Sequence, residues 1–263
     1  MATPAIRFED GAAYEQGMGR WSALAGQTFL DWLALPAGLR WLDIGCGSGA
    51  FTELLVQHCA PSETHGVDPS EAQLVFARSR PGARDATFHL GDAMALPFPD
   101  DRFDAAAMAL VITFIPDPAK AVAEMARVVR PGGGVATYMW DTLNGGVPLS
   151  PIEAALKAIG KPPPARASAA ASGRDAMQAF WQAAGLQSIE TRQIRIPVVY
   201  ASFEDFCESN IVPIGPSGQL LSALSPDELE QLKAQLRKQL PIAPDGRIAY
   251  ESFANAVKGR VPG

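Results

Sequence analysis

A glycine-rich turn within residues 41–50, the segment WLDIGCGSGA, joins a strand pattern to a helical pattern. Gly45, Gly47 and Gly49 let the backbone turn where a Cβ atom would clash, and apolar residues at helical spacing follow them. This strand, turn and helix unit is expected to leave bare amides for a nucleotide-like ligand. The alternative is a turn that only lets the helix pack closely on the strand.

Asp43 lies two residues before the first glycine and separates two ligand classes. The spacing of Gly45, Gly47 and Ala50, with Asp68 about 20 residues further on, also fits a dinucleotide-binding fingerprint. A carboxylate at Asp43 would repel a pyrophosphate, whereas it would attract a cationic sulfonium or ammonium group. The sequence therefore favours a cationic nucleoside ligand and keeps a nicotinamide-dependent oxidoreductase as an alternative.

Two further carboxylates follow the next predicted strands. Asp68 ends the strand in HGVDPS and is placed to accept hydrogen bonds from both hydroxyls of a ribose, with a helix N-cap as the alternative. Asp92 follows the strand that ends at Leu90 and suits the amino group of adenine. The alternative for Asp92 is a turn in which the side chain bonds its own backbone.

Strand and helix patterns continue to alternate further along the chain. A helix opens at Asp117 and Pro118, ends at the Pro-Gly-Gly-Gly run from Pro131, and is followed by a strand over residues 135–140. Such alternation predicts an α/β fold with a mostly parallel sheet, helices on both faces and ligands at the carboxyl ends of the strands. The length of 263 residues fits one such core with additions.

Four segments in order, LDIGCGSG, GVDPS, GDAMALPFPDDRFDAA and RVVRPGGGV, resemble motifs of the class I S-adenosylmethionine-dependent methyltransferases. The resemblance covers roughly residues 39–140 and is greatest to the small-molecule, methyltransferase type 11-like branch. It implies a doubly wound, mostly parallel seven-stranded sheet with helical additions that form a cap. It also implies S-adenosyl-L-methionine as the cofactor and S-adenosyl-L-homocysteine as its product.

The resemblance also implies which residues hold the cofactor. Asp43 and the backbone from Gly45 to Gly47 would hold the methionine moiety, Asp68 the ribose, and Asp92 with Ala93 the adenine. The full implied set is Asp43, Gly45, Cys46, Gly47, Asp68, Pro69, Gln73, Asp92, Ala93, Met94, Ala109 and Leu110.

No catalytic residue is predicted. Members of the family often carry histidines shortly after the strand that ends near Leu110, and this sequence has Thr113 and Phe114 there. An obvious general base is therefore missing from that segment.

Residues before the first sheet strand and aromatic residues after it are expected to complete the site. Tyr14 and Arg20 are predicted to fold over the cofactor, with Arg20 facing its carboxylate and surface placement as the alternative. Five aromatic residues are predicted to form an apolar wall for the methyl acceptor, with ordinary core packing as the alternative. They are Tyr138, Trp140, Tyr200, Phe203 and Phe206.

The remaining segments are expected to be additions to the core. A proline-rich stretch and an alanine- and serine-rich stretch within residues 161–172 predict a mobile loop or linker. A capping box at Ser225 and Glu228 opens an amphipathic helix. The expected units are an N-terminal helical segment over the cofactor site (1–38), the cofactor-binding core (39–141), a loop or linker (142–173), a continuation of the core sheet (174–201), a helical insertion that caps the substrate (202–245), and a closing strand and tail (246–263).

Composition narrows the possible partners and compartments. A net charge of −6 argues against an electrostatic nucleic-acid footprint, and no apolar run reaches the length of roughly 20 residues that spans a bilayer. Cys46, Cys59 and Cys207 show no spacing typical of zinc binding or of paired disulfides, so we expect reduced thiols, no metal and a cytoplasmic protein. Cys46 is interpreted as a small loop-filling residue rather than a nucleophile. The oligomeric state stays open.

These features predict an enzyme that transfers a methyl group from S-adenosylmethionine to a small, aromatic or lipophilic molecule. The transfer would be an in-line displacement by an oxygen, nitrogen or carbon atom, for which alignment of donor and acceptor is the main task. The alternatives are the nicotinamide-dependent oxidoreductase and a non-catalytic S-adenosylmethionine-binding module.

Overall fold

Seven strands form one sheet within residues 18–212 and 215–263, the part of the chain that the computed structural model describes. The strand order is β3-β2-β1-β4-β5-β7-β6, with parallel pairing from β3 to β5 and antiparallel pairing of β7 with β5 and β6. The mostly parallel seven-stranded sheet is thus confirmed. The strands are β1 (Arg40–Ile44), β2 (Glu63–Asp68), β3 (Thr87–Leu90), β4 (Phe103–Ala109), β5 (Val129–Trp140), β6 (Gln187–Tyr200) and β7 (Ile248–Arg260).

Helices cover both faces of the sheet. They are α1 (Arg20–Leu33), α2 (Ala50–Cys59), α3 (Glu71–Ser79), α4 (Pro118–Val128), α5 (Ser150–Ala158), α6 (Arg174–Ala183), α7 (Phe203–Asn210), α8 (Gly215–Ser222) and α9 (Pro226–Gln239). One apolar cluster joins α1, α2, α5, α7 and α9 to the sheet, and a second joins α4 and α6 to the opposite face. Short 3₁₀ helices occupy residues 81–83, 112–114 and 169–172. Among the helices in the described part of the chain, none combines the length and apolar character that crossing a bilayer requires.

Successive side chains of β5 point alternately into the two apolar clusters. Tyr138 and Trp140 face the cluster that contains α1, whereas Val135 and Met139 face the cluster that contains α6. Trp181 of α6 closes the second face by donating a hydrogen bond from its indole nitrogen to the Val135 carbonyl at 3.0 Å. The period-two pattern of a buried strand therefore fixes which side chains can reach each side of the sheet.

The predicted boundary between α4 and β5 is wrong. The proline and glycine run predicts that the helix ends at Pro131, whereas α4 ends at Val128 and β5 already begins at Val129. Val129 is fully buried and pairs with Phe103, after which the register shifts so that Ala105 pairs with Gly134. The proline and glycines are therefore accommodated as an irregularity inside a strand, which a local helix-breaking signal does not reveal.

The loop or linker predicted for residues 142–173 is also more ordered than expected. It contains α5 and the 3₁₀ helix at residues 169–172, whose Ala171 and Ser172 are buried. Ser168 fastens this segment to the chain after β4, since its amide donates to the Thr113 carbonyl at 3.1 Å and its hydroxyl to the Ile115 carbonyl at 2.8 Å. Alanine and serine suggest a linker by composition, but here their small side chains permit close tertiary packing.

The β6–β7 pair extends past the carboxyl end of β5. Trp140, the last residue of β5, pairs with Ala254, whereas β7 begins at Ile248 opposite Tyr200. Residues 248–253 therefore project by about 20 Å at the usual rise of a strand. The connection between β6 and β7 contains α7, α8 and α9, and the predicted capping box starts α9. These helices are attached at the edge of the sheet where the candidate site lies.

Candidate functional site

The glycine turn after β1 needs glycine at two positions for different reasons. Gly45 has φ +69°, and a Cβ atom there would lie 2.6 Å from the methyl groups of Val111. Gly47 has φ +50°, and the described atom nearest to its Cβ would be the Gln73 side-chain oxygen, at 4.0 Å. Gly45 thus permits close approach of the chain after β4, whereas at Gly47 the described residues leave room for a side chain.

Three amides of this turn bond within the protein, which corrects the expectation of bare amides. The amides of Gly45 and Cys46 donate to the Val67 carbonyl at 2.8 and 3.1 Å, and the Gly47 amide donates to Asp68 Oδ2 at 2.9 Å. The neighbouring strand β2 ends beside the turn and supplies these acceptors. The turn therefore offers a ligand a shaped backbone surface rather than three donors.

Asp43 is a fully buried carboxylate with one oxygen still available. Thr52 of α2 donates its hydroxyl to Asp43 Oδ2 at 2.6 Å, while Oδ1 has no hydrogen-bond partner within residues 18–212 and 215–263. Burial, followed by the charge of Asp68, raises the pKa of Asp43 to about 7. A buried unpartnered carboxylate oxygen is costly unless a ligand supplies a donor or a positive charge.

Thr52 was missed by the sequence analysis. It is buried and occupies the first turn of the helix that follows the glycine turn. A hydroxyl residue on the packed side of that helix was the available signal, because a buried hydroxyl needs a partner.

Asp68 is buried at the end of β2 and uses both oxygens. Oδ1 accepts from the Ser70 amide and Oδ2 from the Gly47 amide, each at 2.9 Å. The alternative role as a helix cap is wrong, because the Ser70 hydroxyl is the N-cap that accepts from the Gln73 amide. Burial raises the pKa of Asp68, and the two amides act against this shift. A carboxylate has about four acceptor positions, so capacity for ribose hydroxyls remains.

The residues that the resemblance implies for adenine, and those that flank Asp68 in the sequence, lie in exposed and in buried positions. Asp92 is exposed, and its Oδ1 accepts from the Met94 amide at 2.8 Å, so the turn bond named as the alternative is present. Contact of Asp92 and Ala93 with adenine stays a prediction. Pro69 is exposed next to Asp68, while Gln73 is buried in α3 with its side-chain oxygen directed toward Gly47.

The end of β4 holds an unusual backbone conformation. Leu110 has φ +62°, in the left-handed region that disfavours residues other than glycine, and its amide donates to the Tyr138 carbonyl at 2.9 Å. Ala109 and Leu110 are half-buried there, as the implied lining role requires. Such conformations cost free energy and cluster at functional sites.

The five aromatic residues predicted as an acceptor wall belong to one apolar cluster. Tyr138 packs against Phe29 with ring centroids 4.7 Å apart, and Tyr200 packs edge-on against Phe206 at 4.9 Å. All five are buried, so the ordinary core packing named as the alternative is present. Their contact with an acceptor stays a prediction.

Arg20 lies beside this cluster at the start of α1. Its guanidinium lies 4.2 Å from the ring centroid of Trp21 and 5.0 Å from that of Tyr200. The residue is exposed, and its predicted bond to the cofactor carboxylate stays a prediction. Tyr14 lies outside the described residues.

Cys46 is buried inside the glycine turn. Burial, together with the charges of Asp43 and Asp68, raises the pKa of its thiol. A thiol held protonated is a poor nucleophile, in agreement with the interpretation as a loop-filling residue.

A buried polar network that the sequence analysis missed follows β5. Asp141 accepts from the Asn144 amide at 3.1 Å and from the Asn255 side-chain nitrogen at 3.0 Å. Asn255 also donates to the Ser172 carbonyl at 2.9 Å. These bonds tie β5, β7 and the 3₁₀ helix at residues 169–172 together at the carboxyl edge of the sheet.

Part of this sequence is similar to that of known proteins. The sequence model of the family described as a methyltransferase domain matches residues 42–137. A malonyl-[acyl-carrier protein] O-methyltransferase of Methylococcus capsulatus is 36% identical over 133 residues, which cover 50% of this chain and 46% of that protein. The ubiquinone/menaquinone biosynthesis C-methyltransferase UbiE of Dinoroseobacter shibae is 40% identical over 121 residues, 43% of this chain and 47% of that protein. The chain thus matches about half the length of these relatives.

Solved structures share the fold over most of the chain. The YcgJ protein of Bacillus subtilis has a TM-score of 0.62 at 19% identity, covering 91% of this chain and 99% of that chain. A Haemonchus contortus phosphoethanolamine N-methyltransferase 2 in complex with S-adenosyl-L-methionine also has a TM-score of 0.62 at 19% identity, covering 95% and 56%. Residues 42–137 are thus similar in sequence to a methyltransferase domain, and the fold that contains them is shared with solved methyltransferase structures.

Proposed function

We propose that this chain is a methyltransferase that uses S-adenosylmethionine to methylate a small aromatic or lipophilic molecule. The observation that carries the proposal is Oδ1 of Asp43, which is buried near the end of β1, just before the glycine turn, and has no hydrogen-bond partner among the described residues. A cationic ligand bound there would give this oxygen the partner that the described protein groups do not.

The residues present fit the cofactor in three places. Asp43 would accept from, or neutralise, the positively charged methionine part, and Asp68 would accept from the ribose hydroxyls with its remaining lone pairs. Asp92 and Ala93 would contact adenine beyond the end of β3. S-adenosylmethionine supplies an electrophilic methyl group on a positively charged sulfur when it is bound.

The same contacts disfavour a dinucleotide. A pyrophosphate bound at a glycine turn needs free amide donors and no nearby negative charge. In this turn the amides of Gly45, Cys46 and Gly47 are already used, and Asp43 adds a carboxylate. The nicotinamide-dependent oxidoreductase is therefore the weaker reading.

The acceptor would lie on the side of the cofactor that faces β4 and β5. With Asp68 and Asp92 binding the nucleoside as proposed, over β2 and β3, the methionine end would point toward β1, β4 and β5. The five predicted wall residues lie in β5, β6 and α7 and suit an apolar molecule. Relatives named for ubiquinone/menaquinone biosynthesis and for 2-phytyl-1,4-naphtoquinone methylation support a lipophilic ring as the acceptor class.

The chain's contribution to the reaction would be alignment. The glycine turn, Asp43 and the positive-φ backbone at Leu110 lie at the carboxyl edge of the sheet and would fix where a donor and an acceptor meet. Holding two reactants in a near-attack geometry can lower a barrier by roughly 7–11 kcal/mol. The attacked atom, whether oxygen, nitrogen or carbon, is chosen by the acceptor pocket.

Thermal melting with separate additions of S-adenosylhomocysteine and NADH tests the proposal. We expect S-adenosylhomocysteine alone to raise the melting temperature, because a ligand that binds only the folded state stabilises it. Stabilisation by NADH alone would contradict the proposal. Turnover with a panel of phenols, hydroquinones and aromatic amines, followed by mass spectrometry, separates an enzyme from a binding module, which would bind S-adenosylhomocysteine without forming any methylated product.

A further inference from the structure

Two buried polar side-chain atoms without partners lie in the neighbouring strands β5 and β7. The indole nitrogen of Trp140 and the hydroxyl of Ser252 have no hydrogen-bond partner within the described part of the chain. Trp140 is 3% exposed and Ser252 is 1% exposed. Folded proteins rarely leave buried donors unsatisfied, so two of them in one place call for a specific explanation.

The strand register brings these two residues together. Trp140 is the last residue of β5 and pairs with Ala254 of β7, and Ser252 lies two residues further along β7. Side chains two residues apart on a strand share a face, so Trp140 and Ser252 are diagonal neighbours, with Cα atoms about 7–8 Å apart. This register places the two unpartnered donors on one face of the sheet, in neighbouring strands.

The location of the pair matches the expected place of the acceptor. Trp140 belongs to the same apolar cluster as Tyr200, Phe203 and Phe206. Ser252 lies on the part of β7 that projects beyond β5, at the sheet edge that also carries Asp43. An apolar molecule among these rings would bring any polar substituent near the two donors.

We propose that the Trp140 indole N–H and the Ser252 hydroxyl together bind one neutral oxygen of the methyl acceptor. The inference rests on the proposed methyltransferase function and narrows the acceptor to a ring that carries a phenolic hydroxyl or a quinone-type carbonyl. The oxygen is neutral because neither donor carries a charge, and an anion buried between them would lack a counter-charge. The pair acts as a specificity determinant that distinguishes an oxygenated ring from a plain hydrocarbon ring.

Equilibrium dialysis with 1-naphthol and naphthalene tests the pair, since these probes share a ring system and differ by one oxygen. In the wild type, with S-adenosylhomocysteine present, we expect 1-naphthol to bind at least about tenfold more tightly. In Ser252→Ala and in Trp140→Phe this preference falls to about threefold or less, while the affinity for S-adenosylhomocysteine is unchanged.

Trp41→Phe is the matched control. Trp41 is 1% exposed, and its indole nitrogen is also without a partner in the part of the chain that the structure describes, but it lies in β1 away from the carboxyl edge. The same chemical change there should leave the 1-naphthol preference unchanged. Ser252→Ala should keep its melting temperature, because the hydroxyl that it removes has no partner among the described residues.

Equal binding of both probes, binding of neither, or a preference that persists in both variants would overturn the proposal. A preference lost equally in Trp41→Phe would also do so, since it would show a general effect on stability. Dialysis without S-adenosylhomocysteine is run in parallel. Failure of S-adenosylhomocysteine to bind contradicts the proposed function, whereas the 1-naphthol preference and its dependence on Ser252 decide this inference separately.

Discussion

The carboxylate of Asp68 accepts a hydrogen bond from the Gly47 amide at 2.9 Å. It thereby fastens the glycine turn after β1 to the end of β2, and its other oxygen holds the Ser70 amide at the start of α3. Asp68 thus shapes the turn, and its remaining lone pairs are those that we propose for the ribose hydroxyls.

Replacing Asp68 by alanine is expected to weaken S-adenosylhomocysteine binding by at least about tenfold, as the loss of charge-assisted hydrogen bonds requires. Calorimetric titration measures this change. Ser70→Ala is the control, because it removes the α3 cap and leaves the carboxylate in place. Its affinity should stay within about twofold of the wild type. Equal affinity in wild type and Asp68→Ala would remove the ribose role.

The raised pKa of Asp43, about 7, predicts that S-adenosylmethionine binding depends on pH. A cation next to the carboxylate favours its ionised form, so the pKa falls on binding and a proton is released. Affinity should therefore decrease as the pH falls below 7, by up to about tenfold per unit, and level off above 7. Calorimetry between pH 5.5 and 8 in buffers of different ionisation enthalpy, on the order of 30 kJ/mol apart, measures both the affinity and the proton release.

Asp43→Asn is the matched variant for this site. In the unliganded protein the raised pKa means that Asp43 favours folding at low pH, and this contribution is lost as the pH rises through about 7. The asparagine variant should melt at least as high as the wild type at pH 8, yet bind S-adenosylmethionine more weakly and without the pH dependence. A variant that keeps the pH dependence would show that another group causes it.

Alanine substitutions at Gly45 and Gly47 are expected to act differently. Both residues have positive φ, but only at Gly45 would the new Cβ lie 2.6 Å from Val111. Urea unfolding should show a loss of about 2–4 kcal/mol for Gly45→Ala and about 1–2 kcal/mol for Gly47→Ala. Addition of Val111→Ala should recover part of the Gly45→Ala loss. Equal losses that Val111→Ala does not relieve would contradict the steric explanation.

The stacked histidines of β2 and β3 predict a second pH effect on stability. His65 bonds Glu63 at 2.7 Å through Nε2 and His89 at 2.7 Å through Nδ1. Burial, then the charge of His65, lowers the pKa of His89 below its usual 6.5. The unfolded chain therefore binds more protons near pH 6, and stability is lost as the pH falls through 6.5.

His89→Gln should lose less stability than the wild type between about pH 7.5 and 5.5, as measured by urea unfolding. The exposed His58 of α2 provides the control, since His58→Gln should follow the wild type. Arg102 and His65 lower the pKa of Glu63 to about 2. The stability that the ionised Glu63 contributes is therefore lost in a separate pH range, below pH 4.5. A wild-type and His89→Gln pair with identical pH profiles would contradict this assignment.

Local sequence patterns predicted those features whose structure is determined by residues close to them in the sequence. The glycine turn, the acids at the ends of β1 and β2, and the Ser225 capping box follow from spacing within one element or turn. Thr52 and Ser252 could not be assigned in the same way, because their roles depend on partners or gaps that the folded sheet creates. A buried hydroxyl in an apolar stripe is the only sequence signal that they share.

Composition was least informative where tertiary contacts decide the structure. Residues 165–172 have the alanine and serine content of a linker, yet Ser168 bonds two carbonyls of the chain after β4. Similarly, the glycines before Gly134 read as the end of a helix, although pairing of Val129 with Phe103 draws them into β5. In both cases the free energy comes from contacts distant in sequence, which no window of neighbouring residues contains.

The connection between β6 and β7 leaves and re-enters the sheet through adjacent paired strands, at Tyr200 and Ile248. Its two ends are therefore held at the spacing of neighbouring strands, about 4.8 Å, whatever lies between them. Residues 201–247 could therefore be exchanged for another segment without changing the positions of β6 and β7. If this connection caps the acceptor as we propose, grafting a different connection at this point should alter the choice of acceptor and leave the affinity for S-adenosylhomocysteine unchanged.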